Sequence, residues 1–191
     1  MTIRKLIILV FIGIATVSQA VELKGSVSDE LGEPVVDSPI YMVMKREVFN
    51  ILKFTYQTVE TKTVSVKTDE HGLYQMDIDV DPYFNRFYLY FHGEGYDYAR
   101  FLRPEPQDVT DDVKAGRESV VNRVLKRNPL WDDLQIVLND LDPDSERYRI
   151  LRSYGFPERR ETGEDGSETW YYYELRKSFR LVPATAAEPE N

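Results

Sequence analysis

Apolar and polar residues alternate in short runs over the first two thirds of the chain, from Val21 to about Leu138. Alternation with a period of two places one face of a strand in a core and the other in water. Clusters of Gly, Pro, Asp and Ser separate the runs at intervals of roughly ten residues, the spacing typical of a β-sandwich or barrel. Strands are therefore predicted in VELKGSVS, PIYMVMK, FNILKFTYQTVETKTVSVKT, LYQMDIDV, RFYLYFHG, YDYARFL, SVVNRVLKR and DLQIVL.

The period of the apolar residues changes after residue 138. A helix is predicted here, with Asp142 as its N-cap and Gly155 just after its last turn. The segments TWYYYEL and KSFRLV then predict two strands joined tightly around Arg176–Lys177. The apolar residues that share the helical spacing are Tyr148, Ile150, Leu151 and Tyr154.

The first twenty residues have the three parts of a secretory signal peptide. Arg4 and Lys5 precede the apolar run Leu6–Ile14, and Ser18-Gln19-Ala20 offers small residues at a cleavage site. The apolar run is shorter than the roughly 20 residues that span a bilayer. The sequence therefore predicts a periplasmic or secreted protein without a membrane span after signal cleavage, and a retained anchor is the alternative.

The predicted organisation has four parts. A signal peptide (1–20) precedes a β-sandwich (21–138), a small α+β extension (139–182) and a disordered tail (183–191), which has little to bury. The chain has 33 acidic and 24 basic residues, a net charge of −9, and no cysteine. This charge argues against nucleic acids and anionic membrane surfaces as partners. Without cysteine, disulfides and a lipid-anchor cysteine are excluded, so the stability of the fold depends on its core.

Three segments of the sandwich region carry a family resemblance: LKGSVSDELGEPVVDSPIYMVM, VSVKTDEHGLYQMDI and FHGEGYDYARFL. Gly32 and Gly72 suit turn positions with positive φ, and Pro34 fixes the chain after the first turn. Over about residues 21–138 the chain resembles the carboxypeptidase regulatory-like domain. The resemblance implies a transthyretin/prealbumin-like β-sandwich, here followed by a C-terminal helix and β-hairpin extension, and a non-catalytic accessory or adhesive role. The hydrolase branch of transthyretin-like proteins has a Tyr-Arg-Gly-Ser signature that this chain lacks.

A second resemblance covers about residues 143–182. The segment ILRSYGFPERRE and the later GSETWYYYELRKSFRL are similar to the helix-then-strand pattern of small outer-membrane lipoproteins of the barrel-assembly machinery. Gly155-Phe156-Pro157 and Trp170-Tyr171-Tyr172 carry the match. The resemblance implies a local structure and does not imply a function.

Three aspartates are the candidate metal ligands. Asp77, Asp79 and Asp81 begin like an EF-hand loop, but Pro82 and Tyr88 stand where that loop needs Gly and Glu. Alternation places the three carboxylates on the outer face of one strand. They therefore form either a loose calcium site or an ordinary solvated strand face.

Motifs of catalysis are missing from the sequence. The only histidines, His71 and His92, have no second histidine or cysteine at ligand spacing, and the chain has neither H-E-x-x-H nor G-x-S-x-G. No catalytic residue and no cofactor are predicted. A hydrolase with a scattered site is the alternative.

Aromatic residues are the remaining candidates for contact with a partner. In TWYYYEL, Trp170 and Tyr172 share one face of the strand, and Tyr171 and Tyr173 share the other. An exposed row would bind a protein or a carbohydrate, which makes Trp170 and Tyr172 candidate binding residues. The alternative is that both rows pack, one on the helix and the other on the sandwich.

The sequence thus predicts an exported, non-catalytic binding or envelope-accessory protein. Its expected partner is another envelope protein or a carbohydrate. The alternatives are a hydrolase and a calcium-stabilised structural module.

Overall fold

The computed structural model describes residues 19–182. Most of the predicted signal peptide and the whole predicted tail lie outside these residues. The strands are β1 (Gln19–Asp29), β2 (Pro39–Asn50), β3 (Thr55–Lys67), β4 (Leu73–Val80), β5 (Arg86–Tyr90), β6 (Gln107–Asp108), β7 (Ser119–Val120), β8 (Arg123–Leu125), β9 (Arg159–Thr162), β10 (Glu168–Tyr172) and β11 (Lys177–Leu181). The helices are α1 (Thr110–Lys114), α2 (Trp131–Asn139) and α3 (Glu146–Tyr154).

Two sheets form a β-sandwich around one core. In the first sheet β1 lies between antiparallel β4 and the short parallel strands β7 and β8; the second sheet has the order β3-β2-β5-β6. Alternate residues of both sheets enter the same apolar cluster, among them Leu23, Ile78, Met42 and Phe87. With 44% strand and 14% helix, the prediction of a mainly β fold containing a β-sandwich is confirmed.

Two turns of the same construction connect the strands at one end of the sandwich. The carboxylate of Asp29 accepts the backbone N–H groups of Leu31 and Glu33, and that of Asp69 accepts those of His71 and Leu73. In each turn the glycine three residues after the aspartate has positive φ, 85° at Gly32 and 70° at Gly72. The predicted turn in TDEHG is therefore confirmed, with Asp69 as the residue that organises it.

The hairpin of β2 and β3 extends beyond the opposite end of the sandwich. Strand β5 pairs only with the segment Tyr41–Lys45 of β2, whereas the ladder of β2 with β3 continues to Asn50 and Thr55. We call the protruding part, residues 46–60, the finger. At its base Asn85 accepts the backbone N–H of Glu47 at 2.8 Å and donates to the backbone oxygen of Glu47 at 2.7 Å.

The extension contains more structure than the predicted helix and hairpin. Strand β10 is the middle strand of a three-stranded sheet of order β11-β10-β9, and α2 and α3 pack with it. The second core consists of Ala99, Leu134, Leu138, Ile150, Leu151, Trp170, Tyr172 and Leu181.

Two strand predictions are wrong. DLQIVL belongs to helix α2, because Trp131, Leu134 and Leu138 have helical spacing and pack into the second core. α2 therefore packs with the extension, although the sequence boundary at residue 138 assigns it to the sandwich. YDYARFL forms a turn in which Asp97 accepts the backbone N–H groups of Arg100 and Phe101.

The N-cap of α3 also differs from the prediction. The helix begins at Glu146, and the Ser145 hydroxyl accepts the backbone N–H of Tyr148 at 3.1 Å. Asp142 instead organises the preceding turn, where it accepts the backbone N–H of Asp144 at 3.0 Å. The predicted end is confirmed, since Gly155 with φ 77° follows the last helical residue.

Candidate functional site

Trp170 and Tyr172, the predicted binding residues, lie in the second core. Their exposed fractions are 1% and 2%, so neither side chain can contact a partner. The prediction is corrected because α2 and α3 pack on this face of β10 and share the second core with it. Trp170 donates through Nε1 to Glu168 at 2.8 Å, and Tyr172 donates to the backbone oxygen of Gly155 at 2.8 Å, so both polar groups are satisfied inside.

The opposite row of β10 faces outwards. Tyr171 and Tyr173 stack with ring centroids 5.7 Å apart and an interplanar angle of 10°. Tyr173 is exposed, and the Tyr171 hydroxyl donates to Glu161 at 2.8 Å. The sequence pattern separates the two rows correctly but does not reveal which one is covered.

The three aspartates do not form a metal site. Asp77 and Asp79 point outwards from β4, and Asp81 follows the strand and accepts the backbone N–H of Tyr83. Alternate residues of a strand are about 6.6 Å apart, too far for three carboxylates to converge on one ion. Among residues 19–182 there is no group of three or more His, Asp or Glu side chains that could hold a metal ion. The predicted calcium site is therefore corrected to a strand face.

The two histidines occupy different environments. His71 is exposed in the turn after β3, beside Glu70. His92 follows β5, is 9% exposed and lies among the rings of Tyr90, Tyr96 and Tyr98. Only His92 is held in a defined site.

The partners of His92 determine where its proton lies. Arg103 donates through Nε to Nε2 of His92 at 3.3 Å, and the Tyr98 hydroxyl is 3.5 Å from Nδ1. Because arginine can only donate, Nε2 accepts, and the proton of the neutral ring is on Nδ1. Burial, together with the positive charge of Arg103, lowers the pKa of His92 to about 4. His92 is therefore neutral near pH 7, and it supports Tyr98.

This environment predicts a loss of stability in mild acid. Between pH 6.5 and about 4 the unfolded chain binds a proton at His92 that the folded chain does not, so the free energy of unfolding falls as the pH falls. The contribution of His92 is complete above pH 6.5 and is lost by pH 4. In full it amounts to about 3 kcal/mol, of which about 2 kcal/mol is lost between pH 7 and pH 4.5. Urea unfolding at pH 7 and pH 4.5 measures this loss.

A His92→Gln variant is the control, because glutamine does not titrate. We expect the difference in unfolding free energy between the two pH values to shrink by about 2 kcal/mol in the variant. The same pH dependence in both proteins would contradict the assignment.

Tyr98 lines a cleft between the sandwich and the extension. The cleft has a volume of about 750 Å³ and is formed by the loop 93–98 after β5, the end of α3 and the turn before β11. Its walls consist of Gly93, Glu94, Gly95, Tyr96, Asp97, Tyr98, Arg152, Ser153, Tyr154, Leu175 and Lys177.

Aromatic rings form one wall of the cleft. Tyr98 and Tyr154 stack with centroids 6.5 Å apart and an interplanar angle of 23°. Phe179 continues the stack, with its centroid 5.1 Å from that of Tyr154. Tyr98 and Tyr154 are half-buried, so each presents part of its ring to the cleft.

Charged groups surround this wall, and two of them form an ion pair. Arg152 donates to Asp97 at 2.9 Å, and Lys177 donates to the Tyr154 hydroxyl at 2.9 Å. With Glu94 the cleft has two acidic and two basic residues, so its formal charge balances. The arrangement suits a polar ligand without a strong net charge.

No pattern in the sequence indicates this cleft. Gly95-Tyr96 is a strand marker in the family resemblance, and Tyr154 appears only as an apolar helix residue. Asp97 and Arg152, which join the two sides, are 55 positions apart. Only the docking of the extension on the sandwich brings them together.

Comparison with known proteins gives weak structural similarities only. No family model and no curated protein matches the chain. The C-terminal domain of shaft pilin SpaA from Lactobacillus rhamnosus GG has a TM-score of 0.33 and 9% identity over 57% of this chain and 98% of that one. The 3-chlorocatechol 1,2-dioxygenase from Rhodococcus opacus 1CP has a TM-score of 0.32 and 12% identity over 58% of this chain and 61% of that one. Similarities this weak indicate no function.

Within residues 19–182, every helix is too short or too polar to cross a membrane.

Proposed function

We propose that the protein is an exported, non-catalytic binding protein, and that the cleft between its sandwich and its extension binds a carbohydrate. The observation that carries the proposal is the stacked wall of Tyr98 and Tyr154, which is bordered by paired polar groups. The N-terminal segment directs export to the periplasm or beyond. The resemblance of residues 21–138 to the carboxypeptidase regulatory-like domain supports an accessory role.

A sugar matches the chemistry of the cleft. A pyranose ring has flat C–H faces and hydroxyl groups around its edge, and a tyrosine ring offers an apolar face with a polar end. Tyr98 and Tyr154 stack on each other, so a face of the sugar packs on the exposed edges of these rings. Its hydroxyls can reach the charged groups of Asp97, Arg152 and Lys177. The balanced charge of the cleft favours a neutral saccharide over a strongly ionic ligand.

Binding fits this cleft better than catalysis does. Asp97 is bound by Arg152, and His92 lies behind Tyr98 with both ring nitrogens engaged. Acid–base catalysis needs a titratable group free to exchange a proton with the substrate. The cleft therefore supports recognition, and nothing favours the alternative of a hydrolase.

The test is binding of the full chain to an array of defined glycans, followed by calorimetry with the best glycan. We expect Tyr98→Ala to weaken binding about tenfold, or about 1.4 kcal/mol, because it removes half of the stacked wall. Arg152→Ala should weaken binding by a smaller factor, since it removes one polar contact and releases Asp97.

Tyr173→Ala is the matched control, because Tyr173 is an exposed tyrosine outside the cleft. Its affinity should equal that of the unmodified protein, and circular dichroism should show all variants folded. Failure to bind any glycan at millimolar concentration, or equal affinity of Tyr98→Ala and Tyr173→Ala, would rule out the proposed site.

A further inference from the structure

The tip of the finger exposes a concentration of large apolar side chains. Ile51, Leu52 and Phe54 are 72%, 93% and 81% exposed, and Phe49 and Tyr56 beside them are 49% and 62% exposed. Exposed apolar residues occur singly on most protein surfaces, whereas a contiguous group marks a surface that contacts another molecule or a membrane. The tip therefore requires an explanation that the cleft does not provide.

The tip is preformed. Asn50 accepts the backbone N–H groups of Leu52 and Lys53 and donates to Gln57 at 2.9 Å, which fixes the turn. The ring of Phe49 makes edge contacts with Phe54 and Tyr56, at centroid distances of 6.5 and 5.3 Å. The three aromatic rings thus form one cluster, and Ile51 and Leu52 lie in the turn beside it.

Phe54 occupies a conformation that suits another residue type. Its φ of 49° lies in the left-handed region, which glycine and asparagine adopt readily and a bulky side chain rarely adopts. Strain of this kind persists where the side chain itself is needed. Apart from its edge contact with Phe49, the exposed ring of Phe54 contributes little to the fold, which points to a use outside the folded chain.

The charge of the finger differs from that of the rest of the chain. Between Glu47 and Glu60, residues 48–59 contain no acidic residue and one basic residue, Lys53, although the whole chain has 33 acidic residues among 191. An acidic group is costly to place near hydrocarbon, whereas a lysine can keep its ammonium group in water while its stem is buried. The composition of the tip is that of a segment that enters a lipid interface.

The finger projects from the end of the sandwich at which the described residues begin. Gln19 at the start of β1 pairs with Val80, and residues 81–85 lead from Val80 to Arg86, the partner of Lys45 at the base of the finger. The first described residue, Gln19, therefore lies at the end of the sandwich from which the finger projects.

We propose that the finger inserts the side chains of Ile51, Leu52 and Phe54 into the interface of a phospholipid bilayer and so orients the sandwich on a membrane surface. Tyr56 and Lys53 lie at the level of the headgroups, where aromatic and basic side chains are favoured. A second copy of the chain suits the tip less well, because a stable dimer buries about 800 Å² on each partner and the tip is a narrow, convex turn. The insertion depends on apolar contact, so it does not need anionic lipid.

The test is flotation of the full chain with vesicles of phosphatidylcholine, and separately of equal parts phosphatidylethanolamine and phosphatidylglycerol. We expect binding to both, and weaker binding to the anionic vesicles because the chain has a net charge of −9. The triple variant Ile51→Ser, Leu52→Ser, Phe54→Ser should bind at least about tenfold more weakly, because it removes the apolar area that enters the lipid. The matched control is Leu31→Ser, Val36→Ser, Ile136→Ser, which removes side chains that are 80%, 50% and 65% exposed elsewhere, and it should bind as the unmodified protein does.

A single substitution separates the role of Phe54 in binding from a role in folding. Phe54→Gly removes the ring and also the strain of the positive φ, so we expect weaker vesicle binding and a melting temperature that is not lowered. The proposal is overturned if the unmodified protein binds neither vesicle or only the anionic one, or if the tip and control variants lose binding equally. It is also overturned if the tip variant converts a dimer into a monomer without lipid, since the occupant is then a second copy.

Discussion

Replacing Trp170 with alanine is expected to lower the free energy of unfolding by about 4 kcal/mol, the effect of removing a fully buried large aromatic side chain. Trp170 is 1% exposed in the middle strand of the extension, and its ring lies against Arg160, whose guanidinium carbon is 4.9 Å from the ring centroid. Truncation leaves a cavity in the second core and removes the Nε1 donor of Glu168, which keeps its ion pair with Arg147. Urea unfolding, followed by the fluorescence of the remaining Trp131, measures the loss.

Tyr173→Ala is the control for this variant, because it removes an aromatic side chain from the outer row of the same segment. Tyr173 is 53% exposed and stacks only on Tyr171, so a loss of less than about 1 kcal/mol is expected. If Trp170 and Tyr172 were a contact surface, as the sequence pattern allows, the two variants would be equally stable. A loss of less than 1 kcal/mol for Trp170→Ala would therefore contradict the burial described here.

Replacing Gly72 with alanine is expected to destabilise the protein by about 3 kcal/mol. Gly72 has φ 70°, where a Cβ atom costs about 1–2 kcal/mol. That atom would also lie 2.5 Å from the backbone oxygen of Val27 in β1, close to the hydrogen bond of 2.8 Å that the Val27 N–H donates to the Gly72 oxygen. Crowding of this kind adds about 1–3 kcal/mol. The midpoint of urea unfolding measures the total.

Gly32→Ala provides the comparison, because the two turns are built alike. Gly32 has φ 85° but no heavy atom within 4 Å of the added Cβ, so only the conformational cost applies, about 1 kcal/mol. The difference between the two variants isolates the close approach of the turn to β1. Equal losses would show that this approach contributes nothing to stability.

The turn around Gly72 was predictable because its interactions are local. The Asp69 carboxylate accepts N–H groups from residues two and four positions later, and the glycine follows at a fixed spacing. The end of α3 at Gly155 was predictable for the same reason. The N-cap was placed at Asp142 because Asp and Ser both cap helices, and the three residues between Asp142 and the helix start form a further turn.

The prediction of a strand at DLQIVL is wrong because a short apolar run can fit both the strand period and the helix period. DLQIVL alternates well enough for a strand, yet Leu134 and Leu138 also have helical spacing. Whether the run forms a strand or a helix depends on the residues that it packs against. Here Trp170 and Leu151 of the extension share a core with one helical face, which no local pattern shows.

The same distinction between local patterns and packing of distant segments applies to the candidate sites. The sequence determined the separation of aromatic rows along β10, the outward position of Asp77 and Asp79, and the local turns, because strand alternation and turn chemistry act over a few residues. Tertiary structure decided which aromatic row is buried, since α2 and α3 pack on it. It also created the cleft of Tyr98 and Tyr154 and left the finger beyond the reach of β5. These features depend on contacts between distant segments, whose geometry is set only when the two cores have formed.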